Sequence, residues 1–588
     1  MISREQHITF YDLEIQTQLD DWRVYNRKRM NLLIKDRELF IGRFCDVAEE
    51  RGSIIIRFKR KETPRLNWPY FFGIVGEDAL GSPNDWTFTF QEFIYSADKN
   101  YYTRQGSDGE IISFYKSESE YIYFEVSFED TSFFDLLKSK YLSQGFQPLV
   151  VVAKMYPPIN YLTNLKDFVS NSESELLSFH SHEKSWNPID IDNDSIDVNY
   201  FIDLINLNEI LLVQGPPGTG KSYQAAAVCD YFIKQKKAVA VCALTNKALI
   251  EIASQPGLIS ALNEELVFKT NLRKDEEKLN PRIKSLGNFL PLQGNLLLTT
   301  YYCLSDFHKE ILNKTKRFDL LIIEEASQAF LATFAMFKEL AHHVMIIGDQ
   351  KQLPPIVITN KEILLKINPK INKVQLGFET IIDTLNAKAT YRLTKTRRLT
   401  SDSSDLTGLF YNNSLLSCSP LNGKIIHSPE LKSLFHPNGA VTVASLEIVG
   451  ENNLNQTEIF ERINKILKGI KTHDSETKVA ILVPTIYLEK LITQNVADKG
   501  LLNSRITIST IHRIQGITTD YTIYYMPLTD ASIELEPKLF NVATSRAKRG
   551  TLIITKGTLL MNKMDENVHL FLSRCQDVST SFINLNNL

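Results

Sequence analysis

Residues 209–237, EILLVQGPPGTGKSYQAAAVCDYFIKQKK, decide how this chain is read. EILLVQ is a leucine-rich and β-branched apolar run, which predicts a buried strand. GPPGTGKS follows (Gly215, Pro216, Pro217, Gly218, Thr219, Gly220, Lys221, Ser222), and the rest has helical composition. Strand, glycine-rich loop and helix come in the order that a phosphate loop requires. Glycines let backbone N–H groups turn inward around phosphates, and the helix N-terminus adds partial positive charge. Lys221 is placed to reach the β- and γ-phosphates, and Ser222 to offer its hydroxyl to Mg²⁺.

A nucleotide hydrolase also needs a carboxylate for the metal and a group to orient or deprotonate the attacking water. FDLLIIEEASQ (318–328) supplies both at the end of an apolar run. Glu324 is expected on Mg²⁺ and Glu325 on the water. Paired acids after a buried strand are costly unless they serve a cation; an exposed acidic loop is the alternative reading.

Working outward, 588 residues exceed one hydrophobic core and predict several domains. Hydrophobic content of 43% with 23% charged residues is that of an ordinary globular chain. The opening MISREQHITFYDLEI lacks an apolar signal-like core, and the apolar runs are short and broken by charge. No secretory signal and no membrane association are therefore expected. Six cysteines, none in a C-x-x-C pair, predict neither a zinc site nor disulfides, and so a cytoplasmic protein. A net charge of −3 does not advertise nucleic-acid binding, although a large ATPase can confine its positive charge to one channel.

The charge is uneven: residues 23–65 hold thirteen Lys/Arg against six acids. This block begins with helical spacing of Trp22, Tyr25, Met30 and Leu33. From Phe40 to about Phe128 short alternating runs (GSIIIRFKR, WTFTF, EIISFYKS, YIYFEVSF) predict an antiparallel barrel or sandwich. Its aromatics are either a stacking platform for unpaired bases or the inward face of half-buried strands. Residues 167–200, rich in Ser, Asn and acids, read as a connector; strand-like and helix-like segments then alternate to the end, as in α/β proteins.

Further ordered motifs follow the phosphate loop: TNKAL (245–249), IIEEASQ (322–328), GDQKQLPP (348–355), TIHRIQG (510–516) and NVATSRAKRG (541–550). Together they resemble superfamily 1 helicases of the 5′→3′ branch, the group that includes the nonsense-mediated-decay RNA helicase. The resemblance covers residues 205–560. It implies two tandem RecA-like domains, 201–392 and 393–588, with ATP between them. Ahead of these the chain's own pattern reads as a helical stalk (1–40), a β-rich barrel-like domain (41–166) and the connector (167–200), and matches the family only loosely. It further implies Gln352 as γ-phosphate sensor, and Arg398 and Arg546 as arginines brought across the cleft. Gly516 and Arg397 would lie at the nucleotide, Arg397 standing where the family has a base-stacking tyrosine. Thr518 replaces the family's ribose-binding acid, and Asn199 is the candidate stand-in for its adenine-reading glutamine. Thr245 and Asn246, with Thr299 or Thr300, would touch the strand from the first domain, and Thr510 and His512 from the second. Such hydroxyls and amides grip phosphates without reading bases. The implied activity is ATP-dependent 5′→3′ movement on single-stranded DNA or RNA, which can unwind a duplex. The alternative is a strand-stimulated ATPase switch that recruits a partner protein.

Overall fold

The computed structural model describes residues 2–66, 68–75, 82–95, 106–177, 188–195, 197–286, 293–310, 316–384, 390–422, 425, 427, 431–448, 450, 453–473, 476–514, 516–528, 531–557 and 564–585.

The chain opens with the helix Arg4–Arg27, whose first turn is closed by a reciprocal cap: the Ser3 hydroxyl accepts from the Gln6 amide at 3.2 Å and the Gln6 side chain accepts from the Ser3 amide at 2.9 Å. Phe10 and Tyr11 of this helix pack edge-on against Phe330, while Trp22 and Tyr25 do so against Phe90. One helix thus ties the later α/β core to the β-rich region. The helix Ile159–Asn171 pairs with it through Lys166 and Asp12, 2.6 Å apart.

Strands β1 (Phe40–Ala48), β2 (Ser53–Lys59), β3 (Pro69–Val75), β4 (Gly106–Ser117), β5 (Tyr121–Phe128) and β6 (Leu149–Ala153) close into an antiparallel barrel in the order β1-β2-β5-β4-β3-β6. Alternation sends Phe44, Ile56, Phe58, Phe72, Phe124 and Val126 into its core. These aromatics are packing groups and present no stacking face.

The first parallel sheet contains β7 (Ile189–Ile191), β8 (Ile210–Gln214), β9 (Val239–Ala243), β10 (Val267–Lys269), β11 (Lys284–Ser285), β12 (Leu296–Thr300), β13 (Phe318–Ile323), β14 (Ala341–Gly348) and β15 (Thr390–Leu393). Their order is β11-β10-β12-β9-β13-β14-β8-β15-β7. β16 (Lys395–Thr396) and β17 (Leu416–Ser417) form a small pair beyond it. The second parallel sheet, β20-β19-β21-β22-β18-β23, uses β18 (Val441–Leu446), β19 (Val479–Val483), β20 (Ile506–Thr510), β21 (Thr519–Met526), β22 (Ala547–Lys556) and β23 (Gln576–Asp577). The central strands of both sheets are covered on two faces, which is why they read as continuous apolar runs. Both sheets are parallel and joined through helices, a mixed α/β architecture.

The expected connector is not all connector. The helix Ile159–Asn171 runs across its start, β7 inside it pairs with β15 at the edge of the first sheet, and the helix Val198–Leu207 begins before its end. A polar composition hid these because β7 has only three residues and earns its place through Tyr391–Leu393 beside it.

Candidate nucleotide cleft and strand-facing surface

In open parallel sheets, ligands collect outside the carboxyl ends of the strands. Here β8 leads into GPPGTGKS and the helix Lys221–Lys234, β13 into Glu324, and β14 into Asp349 and Gln352. Gly218 and Gly220 have φ of +73° and +79°, backbone that side chains avoid. A Cβ on Gly218 would also lie 2.4 Å from Arg398 Cβ. The loop is strapped from the far side: Arg397 N donates to Gly218 O at 3.0 Å and Thr396 Oγ1 to Pro217 O at 2.8 Å.

These groups line a cleft of ≈ 440 Å³ between the two sheets. Pro217, Gly218, Thr219, Gly220, Lys221, Ser222, Glu324, Glu325, Gln352, Arg397, Arg398, Gly516 and Arg546 all reach it. Pro217 and Arg546, 329 residues apart in sequence, therefore meet there. Ser222 Oγ donates to Glu324 Oε1 at 3.0 Å, so hydroxyl and carboxylate converge as two ligands of one hard cation would. Tyr301 Oη donates to the Glu324 carbonyl at 2.5 Å and fixes the backbone there.

Glu325 is held at φ +53°, a strained conformation for a residue with a side chain, and its buried Oε2 has no hydrogen-bond partner. Burial first, then the neighbouring Glu324 and Glu251, push its carboxyl up to about 7, the range suited to a general base. Burial likewise raises Glu324 and lowers Lys221. It lowers Arg398 to about 10 and Arg546 to about 9, with the mutual repulsion of the two arginines adding to the second. Their hydrogen bonds go to neutral groups: Lys221 to the Gly215 carbonyl at 2.6 Å, Arg398 to the Ser545 carbonyl at 3.2 Å, and Arg546 to the Val542 carbonyl at 2.9 Å and the Ser545 hydroxyl at 3.5 Å. Three desolvated cations so arranged favour a polyanion in the cleft.

Several sequence expectations change in detail. Arg397 reaches the cleft but is two-thirds exposed and ion-paired with Asp194 at 2.6 Å. Asn199 is exposed, bonds to Asp197 at 2.7 Å and is not among the cleft residues. The asparagine at the loop is Asn193, which donates to Thr219 O at 2.8 Å and accepts from the Thr394 and Lys395 amides. Sequence reading also missed Tyr223, Glu251 and Lys548, which line the cleft. Tyr223 and Lys548 were within reach of motifs, one residue past Ser222 on the first helical turn and two past Arg546 in NVATSRAKRG; Glu251 carried no local signal.

The strand candidates also lie at carboxyl ends, just past β9 and at the ends of β12 and β20. Thr245 is exposed and caps the helix Asn246–Ala253 through the Ala248 amide at 3.2 Å. Asn246 Oδ1 accepts from Lys269 Nζ at 2.9 Å, which leaves its N–H groups to donate outward. Of the two threonines that end β12, Thr299 is fully buried and bonded to Thr270 at 3.1 Å, whereas Thr300 is part-exposed. Successive strand residues face opposite ways, so only Thr300 is open to a ligand. Thr510 is buried with its amide on Glu489 at 3.1 Å, while His512 is exposed. Gln515 of the same motif lies outside the described residues. No helix among the described residues is long and apolar enough to cross a membrane.

Comparison with known proteins matches residues 202–357 to the AAA domain family. The chain is 22% identical over 403 residues to the ATP-dependent helicase upf1 of Schizosaccharomyces pombe, covering 58% of this chain and 42% of that protein. It is 22% identical over 398 residues to the DNA replication ATP-dependent helicase/nuclease DNA2 of Saccharomyces cerevisiae, covering 60% of this chain and 25% of that one. Regulator of nonsense transcripts 1 of Caenorhabditis elegans is likewise 22% identical, over 59% of this chain and 36% of its own length. The chain thus spans between a quarter and about two fifths of these relatives. Among solved structures, the Arterivirus nonstructural protein 10 helicase is 14% identical at a TM-score of 0.31, over 62% of this chain and 63% of that one.

Proposed function

We propose that this chain is a superfamily 1 helicase of the nonsense-mediated-decay-like group, that it hydrolyses ATP in the cleft between its two parallel sheets, and that it uses the cycle to move 5′→3′ along a single nucleic-acid strand. The observation that carries this reading is the meeting of Lys221, Glu325 and Gln352 from the first sheet with Arg398 and Arg546 in one cleft.

Lys221 and the loop amides hold the β- and γ-phosphates. Glu325 takes the proton of the attacking water; its raised pKa and unpartnered Oε2 suit that task. Arg398 and Arg546 stabilise charge on the transferred phosphoryl group, and Gln352 senses it. The Ser222–Glu324 pair fits Mg²⁺, which when bound would screen phosphate charge. Arg546 sits beside the second sheet, so full stabilisation requires that the sheets be together, and their separation after hydrolysis is the motor step. Thr245, Asn246 and Thr300 on one sheet and His512 on the other are the groups that hold the strand in turn. Paired as they are, the helices Arg4–Arg27 and Ile159–Asn171 act as the stalk that carries the barrel.

The test measures ATP turnover with single-stranded DNA, single-stranded RNA or neither, beside unwinding of duplexes with 5′ or 3′ tails. Strand-stimulated turnover, loss of it in Lys221→Ala, and unwinding from 5′ tails are expected. Stimulation without unwinding would make the chain a strand-sensing switch instead. Turnover unchanged in Lys221→Ala would refute the site.

A further inference from the structure

Asp349, only 1% exposed, lies where the two sheets meet, and its carboxylate is shared between them. From the first-sheet side Gln352 Nε2 donates to Oδ2 at 2.7 Å, and Gln214 Nε2 and the Lys351 amide donate to Oδ1 at 3.3 and 3.1 Å. From the other side the Tyr411 hydroxyl donates to the same Oδ2 at 2.6 Å, with the Tyr411 ring in the core that also holds Val443 and Phe540. Asn541 Nδ2 donates onward to Tyr411 Oη and to the Lys351 carbonyl, both at 2.8 Å. Asn541 belongs to the helix Pro537–Thr544, and Arg546 just beyond it bonds back to that helix at Val542.

An unbroken polar chain therefore runs Gln352–Asp349–Tyr411–Asn541 to the Arg546 helix. Gln352, Asp349 and Arg546 reach the nucleotide cleft; Tyr411 lines a separate cavity, with Gln214 and Lys351. A glutamine amide carries two N–H donors. With one spent on Asp349, the direction of the other is set by how that carboxylate is held. Burial keeps the Tyr411 hydroxyl protonated, hence a constant donor, and hydrogen bonds to a buried charge are the strong ones. The Gln214 and Asn541 side-chain oxygens are buried without a partner, so the network has no spare donor to replace Tyr411.

We propose that Tyr411 is a positioning residue for phosphoryl transfer. It fixes Asp349, and through it Gln352, in register with the helix that presents Arg546, so that sensor and arginine are aligned only when the sheets are together. This rests on the reading of the cleft given above.

The test compares the full-length chain with Tyr411→Phe, Gln352→Ala and the double variant in strand-stimulated ATP turnover. Tyr411→Phe keeps the ring and removes one hydroxyl. It is expected to lower kcat about tenfold to a hundredfold, the worth of a hydrogen bond to a buried charge. The ATP KM should stay within about threefold and the melting temperature near that of the unmodified chain, a split that a purely structural role would not give. The double variant should lose less than the product of the single losses, because Tyr411 acts partly through Gln352. If Tyr411→Phe does not fold, Asn541→Ala breaks the chain one link on and carries the same expectation. Full kcat in a folded variant, a loss confined to KM, or losses that multiply would overturn the proposal while leaving the motor reading intact. An unmodified chain without ATP turnover would overturn both.

Discussion

Replacing Glu489 with alanine should open the joint between the barrel and the second sheet. Glu489 lies on the helix Ile486–Asp498 and is 4% exposed. Its carboxylate accepts from Arg65 Nε at 3.0 Å, Arg65 Nη2 at 2.6 Å and the Thr510 amide at 3.1 Å, and Arg513 Nη1 lies 3.6 Å away. Both guanidiniums also lie over the Trp68 ring, each 4.8 Å from its centroid. In Glu489→Ala the Arg65 and Arg513 side chains, 9% and 14% exposed, lose the carboxylate they share. Removing one partner of a buried pair costs about 3–5 kcal/mol. The abandoned Thr510 N–H adds about 1–3 kcal/mol, although the two losses are not additive in full. Amide hydrogen exchange at Thr510 reads this directly. A loss of about 3 kcal/mol in local opening corresponds to exchange faster by about a hundredfold. Glu489→Gln, which still accepts from Thr510 but has no charge, should fall between. Thr510 exchange within about threefold of the unmodified chain would refute the reasoning, since it would mean the arginines find water without disturbing the joint. Because His512 follows Thr510, weaker strand binding is expected to accompany the faster exchange.

Glu325→Gln should lower ATP turnover by at least about a hundredfold while nucleotide binding persists, as read by equilibrium binding beside single-turnover hydrolysis. Arg546→Ala should lower kcat about a thousandfold with little change in ATP affinity; comparable loss in both would mean it merely holds the ground state. Thr300→Val should weaken strand affinity, whereas Thr299→Val should leave it within about twofold and instead cost about 1–3 kcal/mol of stability by orphaning Thr270. His7 is buried against the Leu177 carbonyl at 3.0 Å, and burial lowers its pKa from 6.5 to about 4. The folded state thus prefers neutral imidazole and the unfolded chain takes the proton first, so this contribution is intact above 6.5 and lost as pH falls toward about 4. The total is about 3 kcal/mol. Denaturant unfolding at several pH values should show that slope, and His7→Asn should flatten it.

The cleft's chemistry was legible where it is local. GPPGTGKS needs only its own glycines, and Glu324 and Glu325 are recognisable because nothing but a cation or a reaction justifies two acids at the end of FDLLII. Arg398 and Arg546 were legible only as matches to ordered motifs; their company in one cleft depends on two sheets that no short-range pattern brings together. The choice between Thr299 and Thr300 turned on which face of β12 is buried, and Thr270 on the neighbouring β10 side settles it. Asn199 failed for a related reason: its short-range partner Asp197 holds it at the surface, while Asn193 reaches the loop because β7 pairs with β15.

By itself, then, the order of residues determined the phosphate-binding loop, the two carboxylates and the alternation of strands and helices around them, since each depends on spacing within a turn or a strand. Only the tertiary structure decided that the β-rich region closes into a barrel, that Glu489 locks Arg65 to Arg513, and that Asp349 is shared by Gln352 and Tyr411. Those are contacts between groups up to several hundred residues apart, and the low dielectric that gives them their strength exists only once the chain has folded around them.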